Sequence, residues 1–228
     1  HGGAGFYRAF ADLGTDYGKR LTEALGSHYE FTTVTYKEFP ACQFLRGLIR
    51  GMSILRERAG KARPASIEIR MHPFEADFIG VRYSGPFTSP AQTVMSAPFC
   101  AALGWAERTA SFAGLRNFGE RAVLELIPKI RIISDEARRR YEPHLRVALD
   151  DGAVLEWEDA SGAAAYQITW KAAVSMTHRL CDEVGVPQSL ADALIARAAE
   201  AEKLPGIGPL VDAVCAATAA ARAETATA

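Results

Sequence analysis

His144 to Trp157 reads HLRVALDDGAVLEW, and this stretch decides the fold. Leu145, Val147 and Leu149 alternate up to Asp151-Gly152, and Val154 to Trp157 return, so the segment is a tight β-hairpin with positive backbone angles at its turn. His144 sits at the opening, where a surface or capping role accounts for it. Upstream, Ile67, Ile69 and Met71 alternate with Glu68 and Arg70, the period of a strand with one buried face, which Pro73 ends. Lys129 to Ile133 adds a strand with Ile130 and Ile132 on one face. Phe31 to Tyr36, Thr-rich and β-branched, reads as another.

Between and after these strands the period changes. From Ala41 apolar side chains recur at helical spacing through Leu45, Leu48, Met52, Leu55 and Ala59, with Pro40 fitting the first helical turn. Gly47 and Gly51 stand four apart on this helix, so another element is expected to approach its backbone there, against a propensity cost of about 1 kcal/mol each. Ser89-Pro90-Ala91-Gln92 has the form of a helix start with a capping box. Pro98 must break that helix near Ser96, because it cannot donate to the carbonyl of Val94. Further helices are expected over Asn117 to Ile127, Lys171 to Val184, Gln188 to Leu204 and Gly208 to Ala221, with two short ones within Gly5 to Gly26. The sum is an α+β domain over 1–215: an antiparallel or mixed sheet of about four strands covered by helices, with a helical C-terminal segment. The Ala- and Thr-rich tail, 216–228, is expected to fray.

Composition narrows the function. The 228 residues carry 26 Lys and Arg against 27 Asp and Glu, a net charge of −1, which argues against nucleic acid as a partner. No apolar run is long enough for a membrane span or a signal peptide. Cys42, Cys100, Cys181 and Cys215 lie far apart with no CxxC pair and no histidine at ligand spacing, so no metal is expected, and four thiols in a reducing cytoplasm is the natural reading. GxGxxG, P-loop, GxSxG and HExxH patterns are all absent, which removes the common nucleotide, serine hydrolase and zincin readings.

Chemistry concentrates in Lys37 to Phe44, KEFPACQF, and the helix it opens. Gln43, Arg46 and Arg50 share a face three and four residues apart, opposite the apolar one. Lys37, Arg46 and the unpaired amides of the first turn would then point toward one carboxylate. A solvated face on an amphipathic helix is the competing explanation. Gln92 is either a capping residue or a substrate contact, and both hold if the cap lies at a cleft mouth.

The run Lys37-x-x-Pro40-x-Cys42, followed at once by an apolar helix, resembles the lysine–proline–cysteine segment of the MmgE/PrpD family, which includes 2-methylcitrate dehydratase and cis-aconitate decarboxylase. Thr88 to Ala101, TSPAQTVMSAPFCA, resembles that family's segment in which a proline and glutamine precede a serine and an aromatic. Asp150-Asp151-Gly152 falls where the family has a late hairpin, and Gly5 to Phe10 resembles a segment near its domain junction. The resemblance covers about Gly5 to Leu210. It implies the family's C-terminal domain, without the large helical N-terminal domain that supplies much of the active site. It also implies a cofactor-independent lyase acting on a small di- or tricarboxylic acid, in a homodimer. By resemblance Lys37 matches the active-site lysine; Gln43 and Arg46 on the polar helix face, with Gln92, Ser96 and Phe99 of the second matched segment, are the expected substrate-binding residues. The family's motif usually continues to a histidine four residues after the cysteine, where this chain has Arg46. Epimerisation of an amino- or imino-dicarboxylate uses the same proton abstraction, and a non-catalytic dimerisation domain is the alternative from another class. These residues alone are expected to fold but not to catalyse, and to expose an apolar patch around Phe39, Phe44 and the loop before Pro90.

Overall fold

The computed structural model describes residues 23–29, 34–162 and 167–225, with side chains described through 221. The chain divides into two compact units, His1–Thr35 and Tyr36–Ala228. In the first, the described part is a turn in which the amides of Ser27 and His28 donate to the carbonyl of Ala24. The helices expected within Gly5 to Gly26 and the strand expected over Phe31 to Tyr36 fall largely outside the described residues, and Val34 to Tyr36 are irregular.

The second unit is α+β. Its helices among the described residues are α1 (Arg46–Ala59), α2 (Pro73–Ala76), α3 (Pro90–Met95), α4 (Ala97–Glu107), α5 (Phe112–Arg116), α6 (Arg121–Leu124), α7 (Trp170–Glu183), α8 (Gln188–Ala199) and α9 (Gly208–Thr225). The strands are β1 (Pro64–Met71), β2 (Ile130–Ser134), β3 (His144–Leu149) and β4 (Val154–Glu158), in the order β2-β1-β3-β4. β1 pairs parallel to β2, with Ile67 beside Ile130 and Ile69 beside Ile132. It pairs antiparallel to β3, with Ile67 opposite Val147 and Ile69 opposite Leu145. Period-two alternation therefore carries Ile67, Ile69, Ile132, Leu145 and Val147 to one face, where all are buried.

Helices α1 and α4 cover that face. Leu45, Leu48, Ile49, Met52 and Leu55 are fully enclosed, each contributing roughly 2 kcal/mol of burial. The expected close approaches at Gly47 and Gly51 are present. A Cβ on Gly51 would lie 2.3 Å from Cε3 of Trp157 and 2.4 Å from Cδ1 of Leu145, and one on Gly47 would lie 3.0 Å from the ring of Pro143. Gly104 brings α4 against the α1 backbone, where a Cβ would meet the Ile49 carbonyl oxygen at 2.9 Å.

Several expectations shift. The long helix begins not at Pro40 but with a 3-10 turn at Gln43–Leu45 that runs into α1, because Cys42 is extended and its amide donates to the carbonyl of Val94 at 2.8 Å. That bond to α3 outweighs the local preference of Pro40 for a first turn. The hairpin turn has positive φ at Gly152 alone: the Gly152 amide closes on the Leu149 carbonyl and the Leu149 amide donates to the Ala153 carbonyl, a three-residue loop instead of a two-residue one. The helix expected over Asn117 to Ile127 contracts to α6, started by the Glu120 side chain and followed by a 3-10 turn at Ile127–Lys129 around Pro128. The stretch from Ala216 to Thr225, where fraying is expected, forms the end of α9, since alanine needs no large apolar contact to favour a helix.

Candidate functional site

Arg46 is almost wholly buried, which a charged side chain tolerates only when paired. Its Nε donates to Oε2 of Glu38 at 3.0 Å, and Nε of Arg50, one turn further along α1, stands 3.9 Å from the same oxygen. Arg179, projecting from α7, donates through Nη2 to the Glu38 carbonyl at 2.6 Å and lies 6.0 Å from the ring of Phe39. The segment ahead of the 3-10 turn is thus pinned between α1 and α7. A cleft of about 490 Å³ opens there, and Glu38, Arg46, Arg50, Thr169, Ser175 and Arg179 line it. Thr169 caps α7, accepting through Oγ1 from the amide of Ala172, so the positive end of a 14-residue helix also faces the cleft. Among the described residues three guanidiniums meet one carboxylate in it, which leaves a cationic excess able to hold the carboxylates of a small acid.

The expected residues sort into two groups. Gln43 lies beside the segment that carries Lys37, its Nε2 donating to the Tyr36 carbonyl at 3.3 Å, and Lys37 itself is exposed. Together with Arg46 they occupy one stretch, at the start of the helix. Gln92, Ser96 and Phe99 take structural positions. Oε1 of Gln92 accepts from the amides of Thr88 at 2.7 Å and Ser89 at 3.1 Å, the capping half of its two readings. Ser96 is fully buried where α3 breaks into α4: its hydroxyl donates to the Tyr83 carbonyl and accepts from the Phe99 amide. Phe99 is enclosed in the core, edge-on to Phe87 with ring centroids 4.8 Å apart. Neither Ser96 nor Phe99 reaches solvent. The two segments do meet, through the Cys42–Val94 bond, but in the interior.

Glu75, on α2 just after β1, was not singled out by its sequence context. It is fully buried; Oε1 accepts from the Tyr141 amide at 2.8 Å, while Oε2 has no hydrogen-bond partner among the described residues. Tyr141 adopts a positive φ of 66°, uncommon outside glycine, to present that amide. Burial pushes the Glu75 carboxyl up to about 7, against the lowering effects of the Tyr141 amide and Arg140. Burial likewise raises the Cys42 thiol, on which Lys37 and Glu75 act with opposite sign. A carboxyl that sequence spacing could not place near the Lys37 segment is therefore supplied by the fold. Phe74, Phe78 and Tyr141, from the elements that flank Glu75 and Tyr141, pack against the Phe44 ring, and Arg140 lies 4.3 Å from the Phe74 ring. Phe39 and Phe44 are half-buried, and the exposed apolar side chains beside Phe44 are Phe74 and Phe78, whose rings pack on it, with Ile79 exposed next along the chain.

No family model matches the chain, and no curated protein matches it. Among the described residues no group of three or more His, Cys, Asp or Glu is placed to hold a metal ion, and no helix is long and apolar enough to cross a membrane.

Proposed function

We propose that this chain provides the carboxylate-holding face of a cofactor-independent lyase of the MmgE/PrpD kind, acting on a small di- or tricarboxylic acid. The observation that carries this reading is the convergence of Arg46, Arg50 and Arg179 on one cleft in which Glu38 is the one carboxylate among the described residues. Arg50 and Arg179 present forked donors suited to a carboxylate, and Arg46, already engaged by Glu38, fixes the shape of the segment carrying Lys37. Removing a proton next to a carboxylate builds negative charge on that group, and fixed cations lower its cost. By the family resemblance Lys37, exposed just ahead of Glu38, is the proton-handling or charge-clamping group, a role open to a lysine and closed to Arg46, which cannot exchange protons near neutral pH. The complete gene product, screened for dehydratase, decarboxylase and epimerase activity on citrate-like and succinate-like acids, should turn one over. Lys37→Ala should then cut turnover by about 100-fold, the effect of losing one preorganised charge contact. Wild-type turnover in that variant would remove Lys37 from the reaction.

A second reading, an assembly module, draws on the C-terminal helices. None of the side chains of α7 is fully buried, and Trp170, Ile207, Val211 and Val214 are about half exposed or more. Light scattering that finds a dimer dispersed by Val211→Lys, with no acid turned over by the complete protein, would favour it.

A further inference from the structure

At the far end of α1 from the arginine cleft lies a separate cavity of about 540 Å³, within the usual size of a small-molecule site. Arg56, Lys61, Arg63 and Lys129 line it, with Glu125 as the one carboxylate among its described lining residues. Glu125 is itself engaged by Arg121, Nε to Oε1 at 2.6 Å, which keeps its carboxyl below the usual range. The remaining wall is apolar and includes Pro64, Trp105 and Leu126. Two of the cations are positioned by the protein. Arg56 donates to the Gly60 carbonyl and stacks 5.7 Å from the Trp105 ring, and Lys129 Nζ donates to the Pro64 carbonyl at 2.8 Å, using one of its three protons. Lys61 and Arg63 are exposed.

Complementing the C-terminal end of the α1 dipole accounts for Arg56 alone. It does not account for three further cations, drawn from the Lys61–Pro64 segment and from the turn before β2, around the same hollow. Overall basicity does not account for them either, since the chain carries a net charge of −1. Four cations around one already engaged carboxylate repel one another, and an anion seated among them offsets that repulsion.

We propose that this cavity binds an organic phosphate, with the phosphate among Lys61, Arg63 and Lys129 and the organic body against Pro64, Trp105 and Leu126. A phosphate monoester matches the site better than a monocarboxylate, because its near-double charge and three acceptor oxygens answer several dispersed cations at once. The apolar wall favours an ester over the free ion. The site lies apart from the arginine cleft, and its test does not depend on lyase activity.

Calorimetric titration of the chain with adenosine monophosphate, inorganic phosphate and succinate tests this. Adenosine monophosphate should bind saturably and at least tenfold more tightly than inorganic phosphate, and succinate should not compete with it. Lys61→Glu and Arg63→Glu should each weaken nucleotide binding tenfold or more with an unchanged circular dichroism spectrum, while Arg50→Ala, in the other cleft, should leave it intact. No saturable binding of either phosphate, binding unaffected by both charge reversals, or equal competition by succinate would overturn the proposal.

Discussion

Glu75 ties the stability of the fold to pH. Its carboxyl is favoured as the neutral acid in the folded chain, raised from 4.5 to about 7 by burial. The stability it contributes is therefore fully present below the unfolded value and lost as pH rises through the folded one, a change of roughly 3 kcal/mol. Glu75→Gln, which keeps an acceptor for the Tyr141 amide, should remove this component: urea unfolding at pH 5 and pH 8 should show the variant gaining on the wild type as pH rises. An identical pH dependence in both would show that the group ionises freely. Arg46 and Arg50 should separate in the same assay. Arg46→Ala strands a Glu38 carboxylate that is itself largely enclosed and should cost about 2–3 kcal/mol, below the full buried-pair penalty because Glu38 retains some solvent. Arg50→Ala, on the exposed face, should cost about 0.5 kcal/mol or less. The shared face of Arg46 and Arg50 was legible as helical spacing. That they turn back on Glu38 was not, because Glu38 precedes the helix and its position is set by the irregular stretch ahead of it and by Arg179, 141 residues away in sequence.

Elements show where periodicity suffices and where it fails. β1, β3 and β4 followed from alternation of Ile, Val and Leu, and the close approach to α1 followed from the spacing of Gly47 and Gly51. The start of α1 was misplaced because a local rule, proline in a first turn, lost to the bond between Cys42 and Val94. The role of Gly104 is invisible until α4 lies on α1. Both helix contacts can be tested by overpacking. Gly51→Ala and Gly104→Ala should each destabilise by about 2 kcal/mol or more in chemical denaturation, since the added methyl would meet Trp157 in one case and the Ile49 backbone in the other. At Gly152, where φ is 89° and nothing crowds a Cβ, alanine should cost about 1 kcal/mol from backbone strain alone. A cost near zero would mean that the turn adopts another conformation.

Across the whole second unit, the sheet and the α1–α4 layer hold the enclosed core, and α7 to α9 contribute little to it: Val186, Ala191 and Ala217 are the buried apolar residues of that region among the described ones. Fold class was legible because one buried sheet face needs only period two. The cationic cleft was legible only on its Arg46 and Arg50 side, because its other wall, 167–179, lies more than a hundred residues away in sequence. Calorimetric titration of the chain with tricarballylate, a tricarboxylate with no leaving group, measures that cleft directly. Saturable one-to-one binding is expected, weakening with added salt, falling at least tenfold in Arg50→Glu and persisting in Lys61→Glu. Absence of binding at millimolar acid, or equal affinity in Arg50→Glu, would contradict the carboxylate-holding role.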